Sequence, residues 1–324
     1  MSKIYFWDLD STLIPDYIRS FADLAFNEAW EEYSNNNPDA VLNKDNLTKQ
    51  DFSRLVVKHL KKLITEAGYG TDKLLINEEE ILPILQTIIS KGDKIMMASA
   101  GFSASDYPGG ETEIYRLNPA FHIFNAYLND FSLDKVASLQ SQRMNSLMKR
   151  DESNKQGQNE ELAHALLVAE LTGDDPLAQK MVIELRQMLR ENEASPICHF
   201  QLPAKNINDP VCSVEIDVER FLNKWKDSEK PTGAMYADTG QKFLAVIKHF
   251  FQQGIEINFP PEMAEYGITV TYPEGWKPVG TINASDIVFT DDKPVFLQFL
   301  QIAGCTTYQP SSAPDLENKT SLKK

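Results

Sequence analysis

Three short runs of this chain are apolar without alternation, and each ends in residues suited to phosphate or metal. Residues 3–7 (Lys-Ile-Tyr-Phe-Trp) lead into Asp8-Leu9-Asp10-Ser11-Thr12. Lys94-Ile95-Met96-Met97-Ala98 leads into Ser99, and Asp286-Ile287-Val288-Phe289-Thr290 leads into Asp291-Asp292. A strand that is apolar at every position is buried on both faces, the condition of a parallel sheet covered by helices on either side. Ligands of such open sheets bind beyond the carboxyl ends of the strands. The runs therefore predict a doubly wound α/β core with 8–12, 99 and 291–292 gathered at one rim.

The intervening sequence predicts helices. From Asp16, Ile18, Phe21, Ala22, Ala25 and Ala29 fall at helical spacing, up to a loop at Ser34-Asn35-Asn36-Asn37-Pro38. A second helix is expected near Thr48, where Thr48 and Asp51 resemble a capping box, with Gly68 and Gly70 closing it. Asn77 with Glu80 marks a third start, running to Gly92. Beyond residue 103 the signals are mostly helical, with Asn118-Pro119 and Asp175-Pro176 as helix starts and a polar linker from Asp151 to Asn159. A helix over 239–253 and an edge strand over 267–272 follow, and Pro294 opens a helix that Gly304 stops. The expected organisation is a core of 1–13, 78–102 and 235–308, a helical cap of 14–77, a mostly helical insertion of 103–234 and a flexible tail of 309–324.

Asp8 and Asp10 lie two residues apart, so a nearly extended backbone aims both carboxylates to one side. One carboxylate can attack phosphorus while the other gives a proton to the leaving group. Clustered carboxylates repel one another, and a hard divalent cation relieves that. Asp291 and Asp292 can complete its coordination, and Ser99 can hydrogen-bond phosphoryl oxygens. A lysine is still required to hold the phosphate charge. Lys242 opens the helix at 239–253 and precedes Asp291, with Lys248 or a later lysine as alternatives. Leu171-Thr172-Gly173-Asp174-Asp175, with Lys135 before it, forms a rival acidic motif. Residues 165–171 are helical in pattern, which makes Asp174 and Asp175 an ordinary cap before Pro176.

The strand followed by Asp8-x-Asp10-x-Thr12 resembles the first motif of haloacid dehalogenase-like (HAD) phosphatases. Ile95 to Ser99 is similar to their second motif and Ile287 to Asp292 to their fourth, in the same order. The resemblance implies a Rossmann-like, mainly parallel HAD core with helical cap and further helical insertion. It implies Asp8 as nucleophile, Asp10 as general acid/base and Thr12 supporting the turn. It also implies Mg2+ held by Asp8, the Asp10 carbonyl and Asp291, with Asp292 nearby or bound through water. Ser99, Thr12 and Lys242 would bind phosphate. Relatives that attack carbon generally lack the second aspartate, so Asp10 favours phosphoryl chemistry.

Composition narrows the partners. A formal charge of −15 and a pI near 4.8 disfavour nucleic acid and acidic membranes. The expected partner is a phosphorylated substrate, drawn to a local positive centre. Three dispersed cysteines, an opening without a signal-peptide core and no span-length apolar run predict a cytoplasmic protein, without excluding export by a specialised secretion system. His59, His122, His164, His199 and His249 show no ligand spacing and are expected to be structural, as are Trp30, Trp225 and Trp276.

The function expected is Mg2+-dependent hydrolysis of phosphomonoesters through an aspartyl-phosphate on Asp8. Phosphotransfer or mutase chemistry with the same intermediate is the enzymatic alternative, and a non-catalytic HAD-fold binding protein the other. The aromatic opening and large helical insertions are similar in outline to bacterial effector phosphatases of this superfamily that act on phosphotyrosine. Small phosphorylated metabolites suit the same motifs, because cap and insertions choose the substrate.

Overall fold

The computed structural model describes residues 3–8, 12–70, 72–99, 115–116, 119–129, 131, 134–137, 155–171, 176–201, 212–225, 237–292 and 294–310. The fold is mixed α/β and divides into two compact units. One comprises Met1–Lys135, Thr290–Asp292 and Tyr308–Lys324; the other comprises Val136–Phe289 and Lys293–Thr307.

In the first unit β1 (Ile4–Trp7) and β2 (Lys94–Ser99) pair in parallel, Ile4 opposite Lys94 and Trp7 opposite Met97. Phe6 and Trp7 of β1 and Ile95, Met96, Met97 and Ala98 of β2 are all buried. Burial at consecutive positions means both faces are covered, as the unbroken apolar runs require. These two strands belong to a sheet of order β10-β9-β1-β2-β3, whose other members are Asp134–Ala137 (β3), Ile287–Thr290 (β9) and Thr306–Tyr308 (β10), each of which crosses a boundary between the two units. All four residues of β9 are buried.

Between β1 and β2 the chain forms a 3-10 turn over Asp16–Phe21, then α1 (Ala22–Asn36), α2 (Lys44–Leu47), α3 (Gln50–Glu66) and α4 (Glu78–Ser90). The predicted helix from Asp16 thus begins as a tighter 3-10 turn. Helices α1 and α3 meet around Phe52, whose ring lies 5.5 Å from those of Phe26 and Tyr33 and 5.8 Å from that of Trp30. On the rim of this contact the His59 ring bridges Glu28 and Glu32 of α1, at 2.8 and 2.9 Å.

Helix α5 (Pro119–Tyr127) packs against α3 through a buried polar network. His122 Nε2 faces the Tyr115 carbonyl at 2.9 Å, which places its proton there. Its Nδ1 then accepts the Ser53 hydroxyl at 3.0 Å. Asn125 Nδ2 donates to Ser53 Oγ and to the Thr48 carbonyl, both at 2.9 Å. Burial pushes the His122 imidazole down to about 4, against a smaller upward pull from the Tyr115 carbonyl, so it is neutral at physiological pH.

The capping pairs read from sequence are not made. Helix α3 starts after Lys49, without a side-chain cap, and the Thr48 hydroxyl donates back to Lys44. The cap that forms is Asn43, which takes the Asn46 N–H and opens the short α2. Asn77 does precede α4, but in a left-handed conformation (φ 48°) and without a side-chain capping bond. Glu80 is directed to Tyr308 instead.

The second unit carries a helical hairpin, α6 (Lys155–Leu171) and α7 (Pro176–Glu191), tied by an Arg186–Glu170 ion pair. Helix α6 begins inside the stretch predicted as a polar linker over 151–159, where Lys155, Gln156, Gln158, Glu160 and Glu161 are polar but good helix formers and outweigh Gly157 and Asn159. Three short strands follow in antiparallel order: Ile197–Gln201 (β4), Ser213–Asp217 (β5) and Ile268–Thr271 (β7). β7 is the predicted edge strand. A parallel pair, β6 (Ile255–Asn258) and β8 (Gly280–Asn283), was not predicted. Helices α8 (Val218–Trp225), α9 (Ala237–Gln252), α10 (Glu262–Glu265) and α11 (Pro294–Ile302) complete the unit. Its core gathers Phe221, Phe243 and Phe299, ring centroids 5.2 to 5.9 Å apart. Pro119, Pro176 and Pro294 each take the first helical position, where a missing N–H costs nothing. Gly304 ends α11 at φ +83°, and a side chain there would meet Pro260 at 2.7 Å.

Of the tail predicted from 309, Gln309 is hydrogen-bonded to the Asp292 carbonyl and Pro310 is buried, and residues 311–324 lie outside the described residues. Among the described residues no helix is long and apolar enough to cross a membrane.

Candidate metal centre

The parallel register brings two predicted site segments to one level. Trp7 faces Met97, so Asp8 leaves β1 next to the end of β2 at Ser99. The third segment is tied in by backbone, since the Asp8 N–H donates to the Thr290 carbonyl at 2.9 Å. The strand pairing thus delivers Asp8 and the 291–292 loop to the same point of the sheet rim.

There, Asp8, Asp291 and Asp292 each offer a carboxylate oxygen, and these atoms lie within 4.8 Å of one another. Asp8 is 6% exposed, Asp291 fully buried and Asp292 half-buried. Unit negative charges at such a spacing repel by about 3 kcal/mol per pair at an effective dielectric near 20. A fold that holds them together in spite of this suits a cation. The donors are all oxygen, and a hard divalent ion that completes its shell with water fits such a set.

Thr12 is fully buried behind the carboxylates. Its hydroxyl oxygen lies 3.1 Å from Asp8 Oδ2 and 3.1 Å from Asp292 Oδ1, and accepts the Asp292 backbone N–H at 3.0 Å. A hydroxyl has one proton, so it serves one carboxylate oxygen at a time or is shared between both. It spans the two strand ends and fixes the distance between Asp8 and Asp292.

The loop backbone has further partners. The Asp291 N–H donates to the Tyr308 carbonyl at 3.3 Å, and the Asp292 carbonyl accepts from Gln309 Nε2 at 3.3 Å.

Comparison with protein-family models, with curated proteins and with solved structures finds no match. The geometry therefore carries the functional argument alone.

Of the residues singled out in sequence, Asp8, Thr12, Asp291 and Asp292 are brought together. Asp10 lies outside the described residues. Ser99 closes β2, at the height the site needs, and its side chain is outside the description. Lys242 lies in α9 of the second unit, and its side chain is likewise outside the description; Lys248 is half-buried on the same helix. Residues 172–175 of the rival acidic motif are also outside, while 165–171 are helical as that motif's rejection required. The metal cluster contains no histidine: His59 and His122 are engaged between helices and His199 pairs with Glu215 at 3.2 Å. Tyr308 and Gln309 were missed, because one acts through its backbone carbonyl and the other through a lone side-chain amide to a backbone carbonyl, and neither forms a sequence motif.

Proposed function

We propose that this chain is a Mg2+-dependent phosphatase with a Rossmann-like, doubly wound core of the HAD type. The observation that carries the reading is the cluster of Asp8, Asp291 and Asp292, two of them buried, bridged by the buried Thr12 hydroxyl. A scaffold that binds no cation gains nothing from holding three carboxylates in mutual repulsion, which argues against a purely scaffolding role.

In this reading an Asp8 carboxylate oxygen forms a bond to phosphorus as the phosphorus–oxygen bond to the leaving group breaks. Asp10, two residues on, gives its proton to the departing oxygen. Asp10 then takes a proton from water, whose oxygen attacks phosphorus, releasing inorganic phosphate and restoring the Asp8 carboxylate. Thr12 holds Asp8 at its distance from Asp292 throughout. Mg2+ bound to Asp8, Asp291, Asp292 and the Asp10 carbonyl would supply positive charge to the phosphoryl oxygens. Ser99 and Lys242 are the proposed phosphate ligands. The substrate is a phosphomonoester, on a protein such as a phosphotyrosine chain or on a small metabolite.

The cytosol is the proposed site of action. All three cysteines are buried and outside any disulfide, and burial pushes the thiols of Cys212 and Cys305 up to about 12, as inert core residues in a reducing compartment.

Release of p-nitrophenol from p-nitrophenyl phosphate, with Mg2+ or with EDTA, tests the reading. Mg2+-dependent release that Asp8→Asn abolishes supports it. Release that survives in folded Asp8→Asn would refute it.

A further inference from the structure

The 290–292 loop has an almost complete account of its backbone partners, and half of it comes from a segment outside the motifs. Thr290 C=O and Asp292 N–H are taken by Asp8 and Thr12. Asp291 N–H and Asp292 C=O are taken by Tyr308 and Gln309. The Tyr308 carbonyl extends the β9–β10 pairing past the strand ends, and the Gln309 amide closes it one residue later. Tyr308 is itself anchored, because its hydroxyl donates to Glu80 Oε1 at 2.8 Å. Glu80 stands in the first turn of α4, the helix that leads into β2. That bond, followed by burial, raises the Tyr308 phenol above its usual range, so it remains a donor.

We propose that Gln309, Tyr308 and Glu80 are positioning residues for the carboxylate cluster. This rests on the metal-dependent reading above. Thr12 holds the loop that carries Asp291 and Asp292 from one side only, and metal binding requires oxygens placed to within a few tenths of an ångström. The Glu80–Tyr308 bond fixes where β10 ends. The Tyr308 carbonyl and Gln309 amide then hold the loop from the side opposite Thr12. The Glu80–Tyr308 and Gln309–Asp292 bonds are individually modest and exposed, so their loss is felt in the geometry of the site more than in global stability.

The test is Mn2+ binding to the purified full chain, followed by the paramagnetic signal of the unbound ion, together with the metal-free Tm. Mn2+ is a readily observed ion for oxygen-rich sites. Gln309→Met keeps length and removes the amide; Glu80→Leu removes the acceptor; Glu80→Gln keeps one. Gln309→Met and Glu80→Leu are expected to weaken Mn2+ binding about tenfold, the scale of outer-shell losses at metal sites. Glu80→Gln is expected to bind as wild type, and all three to keep the wild-type metal-free Tm. Wild-type affinity in Gln309→Met and Glu80→Leu overturns the positioning role and leaves the metal reading standing. Affinity that falls only in step with Tm overturns it in favour of a merely structural role. A wild-type chain that binds no Mn2+ overturns both.

Discussion

The Thr12 hydroxyl lies 3.1 Å from Asp292 Oδ1 and accepts the Asp292 backbone N–H at 3.0 Å, although 280 residues separate the two. One fully buried oxygen thereby joins the end of the first strand to the end of the ninth, and a second contact ties it to Asp8 at 3.1 Å. Thr12→Val preserves shape and removes all of these bonds. It leaves a part-buried N–H and two carboxylates without the hydroxyl, a loss of about 1–3 kcal/mol. Thr12→Ser restores the oxygen and is expected to recover most of that. Urea unfolding of the two variants checks it; equal stability of Thr12→Val and wild type would contradict the bridging role.

Removing one charge from the cluster should have opposite effects with and without metal. Asp291→Asn relieves repulsion among carboxylates, so the metal-free protein is expected to be at least as stable as wild type. Mg2+ at a hundred times its dissociation constant is expected to stabilise wild type by about 2.7 kcal/mol through mass action. The same Mg2+ concentration should leave Asp291→Asn unmoved. Thermal unfolding with EDTA and with Mg2+ provides both comparisons.

The buried His122 makes the first unit acid-sensitive. Its ordinary value is 6.5 and burial lowers it to about 4 in the fold. Between those values the unfolded chain binds a proton that the folded chain refuses, so stability falls as pH falls through that window. The difference corresponds to about 3 kcal/mol, fully lost below pH 4. His122→Gln is expected to be less stable than wild type at neutral pH but flatter from pH 6.5 to 4. Denaturant midpoints at four or five pH values decide between a flat and a sloping wild type.

Phe52 is fully buried among Phe26, Trp30, Tyr33 and His122. Truncation to alanine leaves a cavity at the junction of α1, α3 and α5 and is expected to cost about 3–5 kcal/mol. Because no atom of Phe52 belongs to the carboxylate cluster, Mn2+ affinity of the folded fraction should be unchanged. A calorimetric unfolding trace and a metal titration at low temperature separate the two effects.

What could be read from sequence follows from how strongly each feature is imposed locally. Residues 4–7, 95–98 and 287–289 are apolar without interruption because both faces are covered, and that pattern survives in one dimension. Proline at helix starts and Gly304 at a helix end are equally local. β5 was missed because Ser213–Asp217 buries only Val214 and Ile216, a period-two signal too short to stand out, and its support comes from β4 and β7. β6 and β8 each borrow their definition from the other, across more than twenty intervening residues. Thr48–Asp51 and Asn77–Glu80 have the spacing of capping pairs, but other partners take their side chains: Thr48 donates to the Lys44 carbonyl, Asp51 accepts from Arg54 and Glu80 accepts from Tyr308. In the site, the side chains of Asp8, Thr12, Asp291 and Asp292 were legible as motif residues. The backing from Tyr308 and Gln309 was not, because the Tyr308 contact is a backbone carbonyl open to any residue and the Gln309 contact is a single side-chain amide with no spacing pattern around it.

The central claim is that Asp8 carries the phosphoryl group. It is tested most directly by incubating the protein with p-nitrophenyl phosphate and Mg2+, quenching with acid and reducing with borohydride. An acyl phosphate on a carboxylate is reduced to the alcohol, so the peptide containing residues 3–12 is then sequenced by mass spectrometry. Conversion of Asp8 to homoserine, absent with EDTA, is the expected result. Turnover of the substrate with Asp8 unmodified, or with the modification on another carboxylate, would contradict it.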